Sequence, residues 1–199
     1  MSKSVFEIKG KIVSIDGNIG AGKSSILKEL KNLGYVVFPE DIDSWQPILN
    51  NFYSNPKRWA FTLQITILNN LRDQYRQINE LLLKNSIIFI ERAPSSSKIF
   101  AEICKNAGHM TDKEFNIYCG CFEKLIWESD VKLYIETDVP TCMQRITKRG
   151  RECEQNIDIN YLHHIAASCK KYHFDDYFSG KDKVSEITYK IIDKVIHKK

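Results

Sequence analysis

The run Gly17-Asn18-Ile19-Gly20-Ala21-Gly22-Lys23-Ser24 is a complete G-x-x-x-x-G-K-[ST] phosphate-binding loop. Its glycines let successive backbone N–H groups converge on a phosphate without Cβ clashes. Lys23 adds a point charge toward the β- and γ-phosphates, and Ser24 offers a hydroxyl to Mg²⁺. The setting fits the motif. Lys11 to Asp16 reads as a buried strand, and Ser24-Ser25-Ile26-Leu27-Lys28-Glu29-Leu30 reads as a helix. Such a helix opens with its N-terminal dipole facing the anion.

Three further landmarks follow apolar runs. Glu40 comes after Val36-Val37-Phe38-Pro39, Glu91-Arg92 closes Ile87-Ile88-Phe89-Ile90, and Arg145-x-x-x-Arg149-Gly150-Arg151 follows a fourth run, with Glu152 and Glu154 behind it. Phosphoryl transfer needs a positioned donor, charge neutralisation on the moving group, and a group that handles the acceptor proton. The phosphate loop meets the first need. Arg145 and Arg149 are four apart, so a helix would put both on one face of a lid spanning about 145–155. Glu40 is placed to accept a proton from a hydroxyl. A carboxylate there tolerates a neutral alcohol better than a phosphate monoester. Between Asp41 and Gln64 the only cations are Lys57 and Arg58, which argues against a nucleoside monophosphate as acceptor.

The elements that would position these residues are strands at Ile12–Asp16, Tyr35–Phe38, Ile87–Glu91 and Val131–Glu136, with a fifth around His173–Phe178. They are β-rich without clean alternation, as strands buried on both faces of a parallel sheet are. A long helical pattern runs from Arg58 to Leu83, with Leu63, Ile67, Leu71 and Tyr75 in one stripe and Asn55-Pro56 as its start signal. Val184, Ile187, Ile191, Val195 and Ile196 mark a last helix. Alternating strands and helices predict a three-layer α/β domain with ligands at the C-terminal strand ends.

The bulk properties exclude several classes. A chain of 199 residues with 43% hydrophobic and 27% charged residues suits one globular domain, residues 1–199. The net charge of +4 is mild, and no basic-aromatic stripe suggests nucleic-acid binding. The six cysteines show neither C-x-x-C nor zinc spacing, so reduced thiols in a cytoplasmic protein are expected. No leader and no membrane-spanning run is evident, so no membrane association is expected.

Taken in order, the motifs resemble the deoxyribonucleoside kinases, the family of deoxycytidine, deoxyguanosine and mitochondrial thymidine kinases and the insect broad-specificity enzyme. The matching pieces are the phosphate loop, Pro39-Glu40 followed by Trp45, Tyr53-x-x-Pro56-x-x-Trp59-x-x-x-x-Gln64, Glu91-Arg92, and Arg145-Ile146-x-x-Arg149-Gly150-Arg151-x-x-Glu154-Gln155. The resemblance implies a P-loop kinase fold, α/β/α, with four or five parallel strands and an Arg-rich lid. It implies ATP as phosphate donor, Mg²⁺ as cofactor, and a deoxynucleoside as acceptor. Glu40 would be the base for the 5′-OH, Arg92 would steady that oxygen and the moving phosphoryl group, and Lys23 completes the catalytic set. Gly17 to Ser25, with Arg145, Arg149 and Arg151, would hold the phosphates, and Ser24 and Glu91 the Mg²⁺, partly through water. Tyr53 and Glu154 would bind the 3′-OH. Gln64 would pair with the base edge, in a nucleoside site completed by Trp45, Ile67, Leu71, Ser96, Ser97 and Phe100. Alone, Gln64 would read as a surface helix residue and Trp45 and Tyr53 as core; the joint pattern reverses that.

Departures from the family pattern bear on the substrate. The cytidine-preferring enzyme has an Arg seven residues after the Gln and an Asp after Glu-Arg. Here those positions are Leu71 and Ser96 or Ser97. An apolar Leu71 leaves room for a thymine methyl, which favours thymidine, with deoxycytidine or wider tolerance beside it. Glu91-Arg92-Ala93-Pro94 replaces the usual Glu-Arg-Ser, Leu63 replaces a Phe, and Cys153 replaces a lid Glu. The alternatives are a thymidylate-type monophosphate kinase and a P-loop nucleotide-binding regulator; the latter would want N-K-x-D and D-x-x-G, and neither occurs. A homodimer is expected, because the family pairs through long helices and Arg58–Leu83 carries more apolar surface than one sheet face needs. Feedback inhibition by a deoxynucleoside triphosphate, common among such enzymes, would use the same acceptor and phosphate sites.

Overall fold

The computed structural model describes residues 10–82, 87–125 and 127–197. Among them, five strands form one sheet: β1 Lys11–Gly17, β2 Val36–Phe38, β3 Ile87–Glu91, β4 Val131–Glu136 and β5 Asp176–Ser179. The order is β2-β3-β1-β4-β5, and every pairing is parallel. The first four lie where the sequence places them, within one residue at each end. The fifth begins only at Asp176. Phe174 packs against Tyr134 at 4.7 Å between ring centroids, and the Asp175 carboxylate accepts from the Lys132 amide at 2.8 Å. Residues 173–175 therefore dock the chain onto β4 before the strand ladder starts.

The helices are α1 Lys23–Asn32, α2 Ile42–Ser54, α3 Pro56–Leu82, α4 Pro94–Asn106, α5 Asp112–Leu125, α6 Val139–Arg149, α7 Ile159–Cys169 and α8 Val184–His197, with a 3₁₀ turn at Glu152–Glu154. Helix α3 opens at Pro56 rather than Arg58. The Asn55 side-chain oxygen accepts from the Arg58 amide at 3.3 Å, so the start signal acts as a cap. Leu83, the expected end, lies outside the described residues. Helix α2 was not anticipated, because Pro47 interrupts its pattern. Its Trp45, Ile48, Leu49 and Phe52 nevertheless share one face at helical spacing.

Three apolar clusters hold the layers. Val13, Ile15, Phe89, Leu133 and Ile135 meet Ile26, Leu27 and Leu30 of α1 and Ile187, Ile191 and Val195 of α8. Ile12, Ile88 and Ile90 point the other way, against Ile78 of α3 and Trp127. The third cluster joins Trp45 and Phe52 of α2, Leu63 and Leu68 of α3, Cys104 of α4 and Tyr118 of α5. Each such side chain contributes about 1.5–3 kcal/mol when fully buried. The apolar surplus of α3 is covered within the chain by α2, α4 and α5, so it does not by itself call for a partner helix.

The order of strands places the site. The chain leaves β1 for β2, returns to β3 beside β1, then crosses to β4 on the far side. The crevice at the C-terminal ends of β1 and β3 is thus the topological switch point. Ile15 is level with Glu91 in the ladder, so the loop after β1 and the carboxylate ending β3 emerge side by side.

Candidate active site

The phosphate loop is shaped as its sequence demands. Gly20 has φ +78°, and a Cβ there would lie 2.5 Å from the Cys142 carbonyl oxygen. Gly22, at φ +108°, caps α1. Lys23 is buried. Its ammonium donates to the Asn18 carbonyl at 3.0 Å and sits 3.6 Å from the Glu91 carboxylate. Burial, then the charge of Arg92, pulls the Lys23 pKa below the usual lysine range, while Glu91, Glu40 and Asp16 counteract. The Ser24 hydroxyl is 3.1 Å from both Glu91 oxygens. Asn18 faces inward: its amide donates to the Leu162 carbonyl at 2.9 Å and its oxygen accepts from the Ile19 N–H.

Arg92 is the one non-glycine residue at positive φ (+66°) among the described residues. The left-handed conformation costs roughly 1–2 kcal/mol for such a residue, so its surroundings must enforce it. Its amide donates to the Ile15 carbonyl at 3.0 Å. Nη1 donates to the Gly17 carbonyl at 2.7 Å, and Nε to Glu40 at 2.9 Å. The guanidinium lies over the Phe100 ring, 4.8 Å from its centroid. Burial opposes its charge, but Glu40, Glu91 and Asp16 outweigh burial and hold its pKa above the ordinary arginine value.

The segment expected to form a lid comprises the end of α6 and the 3₁₀ turn. Gly150, at φ +66°, ends α6 and reverses the chain. Arg145 donates to the Ala21 carbonyl at 3.0 Å and to the Gly180 carbonyl at 2.8 Å, which fastens α6 to the phosphate loop. Arg149 makes bonds of 2.7 to 3.0 Å to the Glu154 carboxylate, and Arg151 adds one at 3.3 Å. Glu154 is buried beneath two half-buried arginines.

These elements enclose a cleft of about 640 Å³. Ile19 to Ser25 line one end, and Trp45, Tyr53, Gln64, Ile67 and Phe100 the other. Glu40, Glu91 and Arg92 lie among the lining residues, as do Arg145, Arg149, Arg151 and Glu154. Gln64 is 2% exposed, and its side-chain oxygen has no hydrogen-bond partner among the described residues. Burial, then the Glu154 charge, raises the Tyr53 pKa, so its phenol stays a donor. Leu71 and Ser97 line an adjoining cavity of about 560 Å³ that shares Glu40, Trp45, Ile67 and Arg92 with the cleft. Gly17, Asn18 and Ser96 line neither cavity. The Ser96 hydroxyl is directed to Asp16, and Ser97 donates to the Pro94 carbonyl at 2.8 Å.

Several lining residues escaped sequence reasoning. Gly180, Asp182 and Val184 bring the β5–α8 connection against the phosphate loop, and Lys148 and Tyr161 join from α6 and α7. The first three lie at the β5–α8 connection, where no motif marks them. Asp16, buried at 1% exposure, lies behind the loop. Its signal was an acidic residue at the end of an otherwise apolar strand.

A sequence model of the deoxynucleoside kinase family matches residues 13–194. The chain belongs to the deoxynucleoside kinase family. It is 33% identical to a deoxyguanosine kinase from Dictyostelium discoideum over 167 residues, which covers 81% of this chain and 58% of that enzyme. It is 30% identical to a deoxyadenosine/deoxycytidine kinase from Bacillus subtilis, over 77% of this chain and 72% of that one. A solved deoxyadenosine kinase from M. mycoides, with the products dCMP and a flexible dCDP bound, superposes with a TM-score of 0.81 at 25% identity. The superposition covers 93% of this chain and 98% of that one. The fold, the family and the enzyme class implied by the motif order are thereby established, and the family uses ATP as phosphate donor. Among the described residues, no helix is long and apolar enough to cross a membrane.

Proposed function

We propose that this chain, working as one domain with a lid at about 145–155, moves the γ-phosphoryl group of ATP to the 5′-OH of a deoxyribonucleoside, with thymidine the favoured acceptor and deoxycytidine or others tolerated. The observation that carries the acceptor is Gln64. Its unpartnered oxygen is buried in an apolar slot at one end of a cleft whose other end is the phosphate loop. A buried orphan acceptor in a site seeks a ligand donor, and a carboxamide offers both a donor and an acceptor to a pyrimidine edge.

Glu40 takes the proton of the 5′-OH through the oxygen that Arg92 does not hold. The freed hydroxyl oxygen attacks the γ-phosphorus, and ADP leaves. General-base help of this kind is worth roughly 10²–10⁴-fold. Arg92 and Lys23 neutralise the charge on the moving group, and Arg145, Arg149 and Arg151 close over the phosphates. Tyr53 and Glu154 form a donor–acceptor pair for the 3′-OH, which disfavours nucleosides that lack it. The Ser24 hydroxyl and Glu91 carboxylate, 3.1 Å apart, suit a hard cation with oxygen ligands. Mg²⁺ held there would neutralise charge on the donor phosphates.

A second reading has deoxyadenosine and deoxycytidine as acceptors. The M. mycoides and B. subtilis relatives carry those substrates in their names, which favours it. A Gln64→Leu variant tests the site reading. It should lose about tenfold or more in kcat/KM for thymidine with ATP KM unchanged; retained thymidine turnover would remove Gln64 from the base site. A wild-type preference for deoxyadenosine would favour the second reading.

The six free thiols favour a reducing compartment such as the cytoplasm. We retain a homodimer through the α3–α5 side, where Ile117 of α5 is 55% exposed; solution scattering checks it. Feedback inhibition by a deoxynucleoside triphosphate would show as inhibition competitive with both substrates.

A further inference from the structure

The last three residues of β1 grip the chain where it turns from β3 into α4. The Ile15 carbonyl accepts from the Arg92 amide at 3.0 Å. The Gly17 carbonyl accepts from Arg92 Nη1 at 2.7 Å. Between them, both carboxylate oxygens of Asp16 accept from the Ala93 amide, at 3.1 and 3.2 Å. Asp16 also accepts from the Ser96 hydroxyl. Asp16 alone does this through its side chain, so it alone can be removed by substitution.

The arrangement answers a local need. Ala93 stands at the N-cap of α4 and has no side-chain oxygen to cap with. The free amides of that helix start must find acceptors elsewhere. Asp16 supplies one at Ala93, and Glu128 supplies another at Ser95, 2.7 Å from its amide. The two caps differ in place. Glu128 is at the outer side of the helix start, whereas Asp16 is buried and holds Ala93, the residue next to the strained Arg92. Backbone in the left-handed region persists only when its neighbours over-determine it.

We propose that Asp16 is a positioning residue for phosphoryl transfer: by holding Ala93 and Ser96, it fixes the Arg92 corner and so aims the guanidinium. This rests on the role given to Arg92 above. The Asp16 brace also ties the catalytic arginine to the strand that feeds the phosphate loop, so donor and acceptor halves share one rigid joint. It also gives the Ser96 hydroxyl a structural task in place of the nucleoside contact expected from the motif.

Steady-state ADP release from the full chain tests this. Asp16→Ala should lower kcat about ten- to hundredfold while KM for ATP and for nucleoside stays within about threefold. Asp16→Asn, which keeps an acceptor for Ala93, should recover part of that loss. Glu128→Gln weakens the outer cap and should lower the melting temperature with kcat unchanged. In an Arg92→Lys background, Asp16→Ala should cost far less than it does in the wild type. Unchanged kcat in Asp16→Ala, or an equal kcat loss in Glu128→Gln, would overturn the proposal. If Asp16→Ala does not fold, Asp16→Asn combined with Ser96→Ala carries the test, and full kcat there overturns it. Undiminished kcat in Arg92→Lys alone would instead overturn the role of Arg92.

Discussion

Arg92 Nε donates to one oxygen of Glu40 at 2.9 Å across 52 residues of chain, joining the segment after β2 to the end of β3. The pair lies at the switch point of the sheet, where the phosphate loop also emerges. Arg92, also bonded to the Gly17 carbonyl, thereby brings together a carboxylate, a cation and the phosphate loop that the sequence scatters over three segments.

The pair makes the first prediction. Glu40→Gln keeps the shape and an acceptor for Arg92 but removes the carboxylate proposed as base. It should lower kcat roughly 10²–10⁴-fold with nucleoside binding little changed. Titration calorimetry for binding and ADP release for turnover check it; full turnover would remove Glu40 from the chemistry.

Gly180 makes the second. It was invisible as a site residue, yet a Cβ there would collide with the Thr137 hydroxyl and approach the Ala21 carbonyl to 3.0 Å. Its own carbonyl holds Arg145. Gly180→Ala should destabilise the fold by about 1–3 kcal/mol. It should also raise the ATP KM more than the nucleoside KM. Thermal melts and two-substrate kinetics separate these effects.

Glu154 joins the two halves of the site, since it holds Arg149 and Arg151 and neighbours Tyr53. Glu154→Gln should raise KM for both substrates. The preference for a nucleoside with a 3′-OH over its 3′-deoxy analogue should fall by about tenfold or more. An unchanged preference would place the 3′-OH elsewhere.

Alkaline stability gives a fourth prediction. Burial pushes the Cys104 thiol up to about 12 from an ordinary value of 9.0. A folded pKa above the unfolded one means that the buried thiol's contribution is complete below 9.0 and is lost as pH climbs toward 12. The melting temperature should fall across that window, and less steeply in Cys104→Ala. The tyrosines Tyr53, Tyr118 and Tyr134, also raised by burial, keep the remaining slope. An identical slope in the variant would contradict the assignment to Cys104.

Much of the fold was legible because its signals are local. The phosphate loop, the first four strand runs and the Asn55-Pro56 start each follow from neighbouring residues. What was hidden depends on distant ones. Helix α2 survives Pro47 because Trp45 and Phe52 are buried in the cluster it forms against α3. Ser96 resembled a base-reading position, but its hydroxyl is taken by Asp16, 80 residues away. The apolar stripe of α3 signals burial without saying what covers it; within the chain, α2, α4 and α5 pack against it.

The most direct test of the central claim is ADP release with ATP and Mg²⁺ against thymidine, deoxycytidine, deoxyadenosine, deoxyguanosine and dTMP. The account predicts turnover of nucleosides, thymidine foremost, and none of dTMP. Turnover of dTMP alone would contradict it, since Glu40 would then face a phosphate rather than a hydroxyl.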